Sequence, residues 1–197
     1  MKKRLITLAL VAALAAVAVV GGSLAYFTDT TDTKNNVFTV GNVDITLEEP
    51  AWDATGSKDA AEVYPGEALA KDPTVENTGA NPCFVRVKVT GLDTLGADNL
   101  IHYRTNYVVD ALGEGWVDGG DGFFYYTKVL DLDGKTTPVF DSIVIPTTVT
   151  NGDATATYSV DVYAEAVQAQ GAKPSWSAVQ AMSLEEIQAW FTTCGMN

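Results

Sequence analysis

Polar and apolar residues alternate most strictly at residues 83–90, where Cys83, Val85, Val87 and Val89 fall on one side and Phe84, Arg86 and Lys88 on the other. A period of two predicts a strand with one buried face. The same alternation sets Val43, Ile45 and Leu47 against Asn42, Asp44 and Thr46, and continues back to Phe38 and Val40 across Gly41. A glycine at the phase change suggests a bend, so residues 38–47 read as a bent first strand. Residues 50–62 read as a loop. A strand over 69–76 follows the Pro65-Gly66 turn signal, and another β-rich run covers 101–109. Residues 123–130 end at Asp133-Gly134, a hairpin signal that predicts 139–145 as the returning strand. Tyr158, Val160, Val162, Ala164 and Ala166 form the last alternating run. Seven or eight short β segments with no long amphipathic helix between them predict an all-β, antiparallel sandwich. Helix is expected only near the C-terminus. Ser183 and Glu186 fit a capping box ahead of Leu184, Ile187, Trp190 and Phe191, and Trp176, Val179 and Met182 could share a face of a shorter preceding turn.

The N-terminus follows a different pattern. Lys2, Lys3 and Arg4 precede an apolar stretch over 5–20, then Gly21-Gly22 and Ser23-Leu24-Ala25. That is the charged region, apolar region and small-residue cleavage site of a secretory signal peptide. A helix of that length rises roughly 24 Å, short of a hydrocarbon core of roughly 30 Å, so a permanent anchor is disfavoured. Residues 1–25 are therefore expected to be removed by a signal peptidase between Ala25 and Tyr26. Cleavage leaves 172 of the 197 residues. It also deletes three basic groups and no acidic one, taking the formal charge from −13 to −16.

So acidic a surface repels phosphate backbones and anionic headgroups, which excludes nucleic acid as a partner and gives no membrane affinity after cleavage. It favours solubility outside the cell. Two cysteines, Cys83 and Cys194, stand 111 positions apart. A disulfide between them would stabilise by roughly 4–5 kcal/mol on the chain-entropy view. Unpaired, one thiol would sit buried in a strand and the other in the C-terminal tail. Residues 192–197 hold no apolar segment or basic stop, so no covalent wall anchor is expected there.

Catalytic chemistry finds few candidates. His102 is the single histidine and lies in a strand-like run. A catalytic zinc site takes three protein ligands dominated by histidine, and no HExxH helix exists, so neither metal, cofactor nor catalytic residue is expected. No G-x-S-x-G turn presents a serine nucleophile. The Asp/Gly-rich stretches 118–122 and 131–134 could offer oxygens to Ca²⁺, but lack EF-hand spacing and serve equally well as tight turns. The aromatic run Phe123-Phe124-Tyr125-Tyr126 suits a core and a neighbouring strand, or an adhesive surface.

The stretch Gly21-Gly22-Ser23-Leu24-Ala25-Tyr26-Phe27-Thr28-Asp29, with Asn36-Val37-Phe38-Thr39-Val40-Gly41-Asn42-Val43-Asp44-Ile45-Thr46-Leu47 after it, closely resembles the start of the TasA and camelysin family of Gram-positive bacteria. Tyr64-Pro65-Gly66, Val75-Glu76-Asn77-Thr78-Gly79, Gly122-Phe123-Phe124-Tyr125-Tyr126 and Ala164-Glu165-Ala166-Val167-Gln168-Ala169 continue the likeness. The resemblance implies a jelly-roll sandwich over 37–197, secretion to the cell surface or extracellular biofilm matrix, and self-association into filaments. It further implies that residues 26–36, once freed, add a strand to the next subunit. Tyr26, Phe27, Thr28, Thr30, Thr31 and Thr33 would then form the donor interface, with Asp29 and Asp32 towards solvent or the groove rim. Some relatives are called metallopeptidases, an activity for which one histidine is a poor start. A surface metallopeptidase and a monomeric adhesion module are the alternative readings.

Overall fold

Among residues 42–93, 100–149 and 159–196, which the computed structural model describes, ten strands form: β1 Ile45–Glu48, β2 Ala68–Ala70, β3 Thr74–Asn77, β4 Cys83–Thr90, β5 His102–Thr105, β6 Val108–Val109, β7 Trp116–Asp118, β8 Phe124–Leu130, β9 Ser142–Val144 and β10 Asp161–Gln168. All lie in one compact unit, Val40–Asn197. One antiparallel sheet has the order β10-β4-β8-β7, a second β2-β9-β5-β6, and β1 pairs with β3 alone. The chain is thus all-β, as the alternation predicts. Leu69 and Ile143 from one four-stranded sheet meet Val85, Val87, Trp116, Tyr126 and Leu130 from the other in the main core. Fully burying side chains of this size stabilises by about 1.5–3 kcal/mol each.

Several boundaries differ from the sequence expectation. The run 69–76 is two strands in two sheets, because Pro73 has no amide hydrogen to donate and fixes its own φ. The run 101–109 folds back on itself: Asn106 and Tyr107 adopt φ of 51° and 66°, the left-handed pair that a two-residue hairpin requires. Asp133-Gly134 does turn the chain, but not to pair 139–145 with β8. Asn77 explains why. Fully buried, it donates through Nδ2 to the Leu130 carbonyl at 3.1 Å and the Asn81 carbonyl at 2.9 Å, while its amide donates to the Gly134 carbonyl at 3.0 Å. The chain leaving the turn is thereby drawn onto β3, where the Thr136 amide donates to the Val75 carbonyl at 2.9 Å, and onwards to β9 between β2 and β5.

The strand over 83–90 has two covered faces, not one. Phe84 and Arg86 are 1% and 3% exposed because helices α3 (Trp176–Gln180) and α4 (Leu184–Thr193) lie over the outer side of their sheet. Phe84, Tyr125, Val167, Val179, Met182, Ile187 and Phe191 form this second core. The capping box starts α4 as expected: Ser183 Oγ accepts from the Glu186 amide, and Glu186 Oε2 accepts from the Ser183 amide. The expected loop over 50–62 instead winds through α1 (Trp52–Gly56, a π-type turn) and α2 (Ser57–Asp59). Both cysteines are free thiols. Cys83 points into the main core and Cys194 is exposed after α4, which covers the opposite face of the same sheet, so the sheet itself stands between them. Of the two states left open by the sequence, this structure has the free thiols.

Candidate functional site

A cleft of about 540 Å³ opens where the end of β1 meets the start of β10, lined by Leu47, Glu48, Glu49, Pro50, Asp53, Asp161 and Val162. Its first wall is held by buried charge. Lys71, 4% exposed, donates through Nζ to Glu49 Oε2 at 2.9 Å, reaches Oε1 at 2.8 Å, and lies 4.9 Å from the centre of the Trp52 ring. Asp72 Oδ1 accepts from the Ala51 amide at 2.8 Å. Gly56 lets this turn pack on β2, since a Cβ there would run into the Ala70 carbonyl. The wall is therefore built, and it carries Asp53 at its surface.

The second wall is the start of β10, held by pairing with β4 through Asp161↔Thr90 and Val162↔Val89. Two strand edges flank the cleft. β10 ends its sheet and β1 pairs only with β3, so among the described residues neither has a second ladder partner. Edges of this kind are templates for another strand. Four carboxylates surround the opening, and two have cation partners: Glu49 with Lys71, and Glu48 with Lys135 at 3.0 Å. Asp53 and Asp161 have none among the described residues, although Asp161 accepts the Ser159 hydroxyl at 2.8 Å.

The other polar clusters are committed to the fold. Arg86 Nε donates to Glu165 Oε2 at 2.6 Å and Nη1 to the Tyr125 hydroxyl at 3.1 Å, with the guanidinium 3.9 Å from the Phe123 ring centre. The Tyr125 hydroxyl donates to Asp121 Oδ2 at 2.8 Å. Partial burial pushes the Asp121 carboxyl up, but hydrogen bonds from Tyr125, the Phe123 amide and Gln188 together hold it below its ordinary value. Asp118 accepts the Gly120 amide at 2.8 Å, so its carboxylate shapes its own loop, while Gln188 Nε2 of α4 donates to the Gly119 carbonyl at 2.9 Å and lies 3.5 Å from Asp121 Oδ2.

Among the described residues no set of side chains fits a zinc site. His102 Nδ1 sits 3.1 Å from Asp110 Oδ1 on an exposed hairpin. Cys83 lies buried in the main core, where burial pushes its pKa up to about 12. Among the described residues no three His, Cys, Asp or Glu side chains gather to hold a metal ion. No helix among them is long and apolar enough to cross a membrane. The expected cleavage site at Ala25 and Tyr26 and the donor residues Phe27, Thr28, Thr30, Thr31 and Thr33 lie outside the described residues. Sequence reasoning missed the cleft. Its walls are over a hundred positions apart, and only the high β content hinted that an edge had to exist.

Fold and cleft together define a class: an antiparallel β-rich sandwich with a recessed strand edge that has no second ladder partner among the described residues. Residues 1–95 match the family model described as camelysin metallo-endopeptidase, so the N-terminal part of this chain is similar to that family. That match includes β1 and the first wall of the cleft and stops before β10. A search of curated proteins returned no match.

Proposed function

We propose that this protein is a secreted, non-enzymatic structural subunit of an extracellular surface or biofilm-matrix fibre, assembled head-to-tail by N-terminal strand addition once a signal peptidase has removed residues 1–25. The observation that carries this reading is the cleft between the β1 and β10 edges. Strand addition needs an edge with free backbone groups beside apolar pockets for alternate side chains. Here Leu47 and Val162 supply the apolar lining and β10 supplies the long edge. A donor on one subunit and an acceptor on the next make a head-to-tail contact that does not close, and such contacts propagate filaments.

The test is a pair of proteins. Mature chain beginning at Tyr26 should form filaments under electron microscopy, whereas a chain beginning at Val37 should stay monomeric with the same β-rich circular dichroism. Filaments from the shorter chain would remove the N-terminal donor. Loss of fold would make the segment an integral strand of its own sandwich. The description of the matching family supports a second reading, a surface metallopeptidase, and stoichiometric zinc with EDTA-sensitive casein cleavage by the mature protein would establish it over the structural one.

A further inference from the structure

The charges around the cleft and along the expected donor are complementary at one point only. From the expected cleavage site to Gly41 the chain has a single cation, Lys34, set among Asp29 and Asp32. The cleft presents two carboxylates that no described cation neutralises, Asp53 and Asp161. Direction follows from where each sits. Asp161 opens β10, and Lys34 lies near the C-terminal end of the segment 26–36. Antiparallel addition to β10 brings the C-terminal end of the donor to the N-terminal end of the acceptor strand, so Lys34 arrives at the cleft. Parallel addition carries it to the Gln168 end, away from both carboxylates. Length permits this, since with Lys34 opposite Asp161 the segment reaches back through Phe27 along all eight residues of β10.

We propose that the incoming segment of a second copy adds antiparallel to β10, with Lys34 seated between Asp161 and Asp53 as the contact that fixes direction. This rests on the fibre reading above and adds an orientation and a charge anchor to it. The anchor matters because everything else electrostatic opposes assembly. Each mature subunit carries a formal charge of −16, and the donor brings two carboxylates of its own. A cation placed against unpaired carboxylates gives register and direction more than raw affinity. Placing Asp29 or Asp32 there instead would put like charges together, which is how a wrong register is rejected.

The experiment uses the mature chain beginning at Tyr26, in a Cys194→Ser background, with two arms. In the first, Lys34→Cys and Asp161→Cys are combined, filaments are grown and then oxidised, and non-reducing gels are read. A ladder of covalent multimers is expected, and it should be missing when either new cysteine is omitted. In the second arm, Lys34→Glu should slow filament growth about five-fold at low ionic strength, adding Asp161→Lys should restore it, and the ratio to wild type should fade towards 1 M salt, where the screening length falls to about 3 Å. Filaments without a ladder overturn the placement whatever their salt dependence. A ladder with a Lys34→Glu variant that grows like wild type overturns the charge anchor. Wild-type protein that forms no filaments at any salt concentration removes the fibre reading itself, an outcome distinct from the other two.

Discussion

The sheet β10-β4-β8-β7 has two exposures, and the chain treats them in opposite ways. Its outer face would leave Phe84, Arg86, Tyr125 and Val167 in water, and the C-terminal helices cover it so fully that Phe84, Tyr125 and Phe191 are essentially inaccessible. Its β10 edge is eight residues long, yet no described strand pairs with it. The edge at the other side of the sheet, β7, has three residues, and β6 in the facing sheet has two. Proteins blunt edges by making them short, and those two are blunted while β10 is not. Apolar surface has been removed from the face, and β10 is the one long edge without a ladder partner among the described residues. The face holds stability, and the edge is the acceptor that the proposed assembly uses.

Substitutions should separate the two. The largest effect is expected from Phe191→Ala, which opens a cavity against Tyr125, whose ring centre is 5.7 Å away, and beneath the Arg86 guanidinium 4.7 Å away. Truncating a fully buried Phe costs about 3–5 kcal/mol, readable as a lowered urea midpoint. Filament mass per folded molecule should be unchanged. A Phe191→Ala variant of full stability that could not assemble would reverse the division of labour.

Next in size is an alkaline effect from the main core. Burial raises the Cys83 thiol from 9.0 to about 12, so the unfolded chain loses this proton first. The stability the neutral thiol contributes is intact below pH 9 and is lost as pH rises towards 12, by about 4 kcal/mol at most. Cys83→Val should remove that part of the alkaline loss in pH-dependent unfolding. In the native wild-type protein at neutral pH a thiol reagent should modify Cys194 alone, with Cys83 joining only on denaturation.

Ser183→Ala should be milder. It deletes the hydroxyl that accepts the Glu186 amide at 3.3 Å and starts α4, and loss of such a cap costs about 1 kcal/mol. Thermal unfolding should register it as a small drop in Tm.

What the sequence disclosed divides along the same line. The strand cores of β4, β8 and β10 and the capped start of α4 follow from local periodicity and local hydrogen bonding, which a single stretch of chain contains. What it hid was non-local. Arg86 alternates as a solvent-facing residue should, and only α4, a hundred residues later, makes it a buried one paired with Glu165. Asp133-Gly134 announces a turn without saying which strand receives the chain, and buried Asn77 decides that. The cleft is the extreme case, because Glu49 to Asp53 and Asp161 to Val162 have no sequence relation that periodicity could expose.

The smallest stability change, and the sharpest test of the comparison, is Asp161→Asn. The carboxylate is on the exposed side of β10 and its only described partner is the Ser159 hydroxyl, which an amide oxygen can accept equally well. Surface substitutions away from caps, cores and paired charges stay within about 0.5 kcal/mol, so unfolding curves should overlay those of wild type. Assembly should respond all the same. Asn keeps the shape of Asp161 but removes the charge that Lys34 is proposed to meet, so filament growth at low salt should slow while growth at high salt matches wild type. A change in stability with unaltered assembly would mean that this end of β10 belongs, like the helix-covered face, to the fold alone.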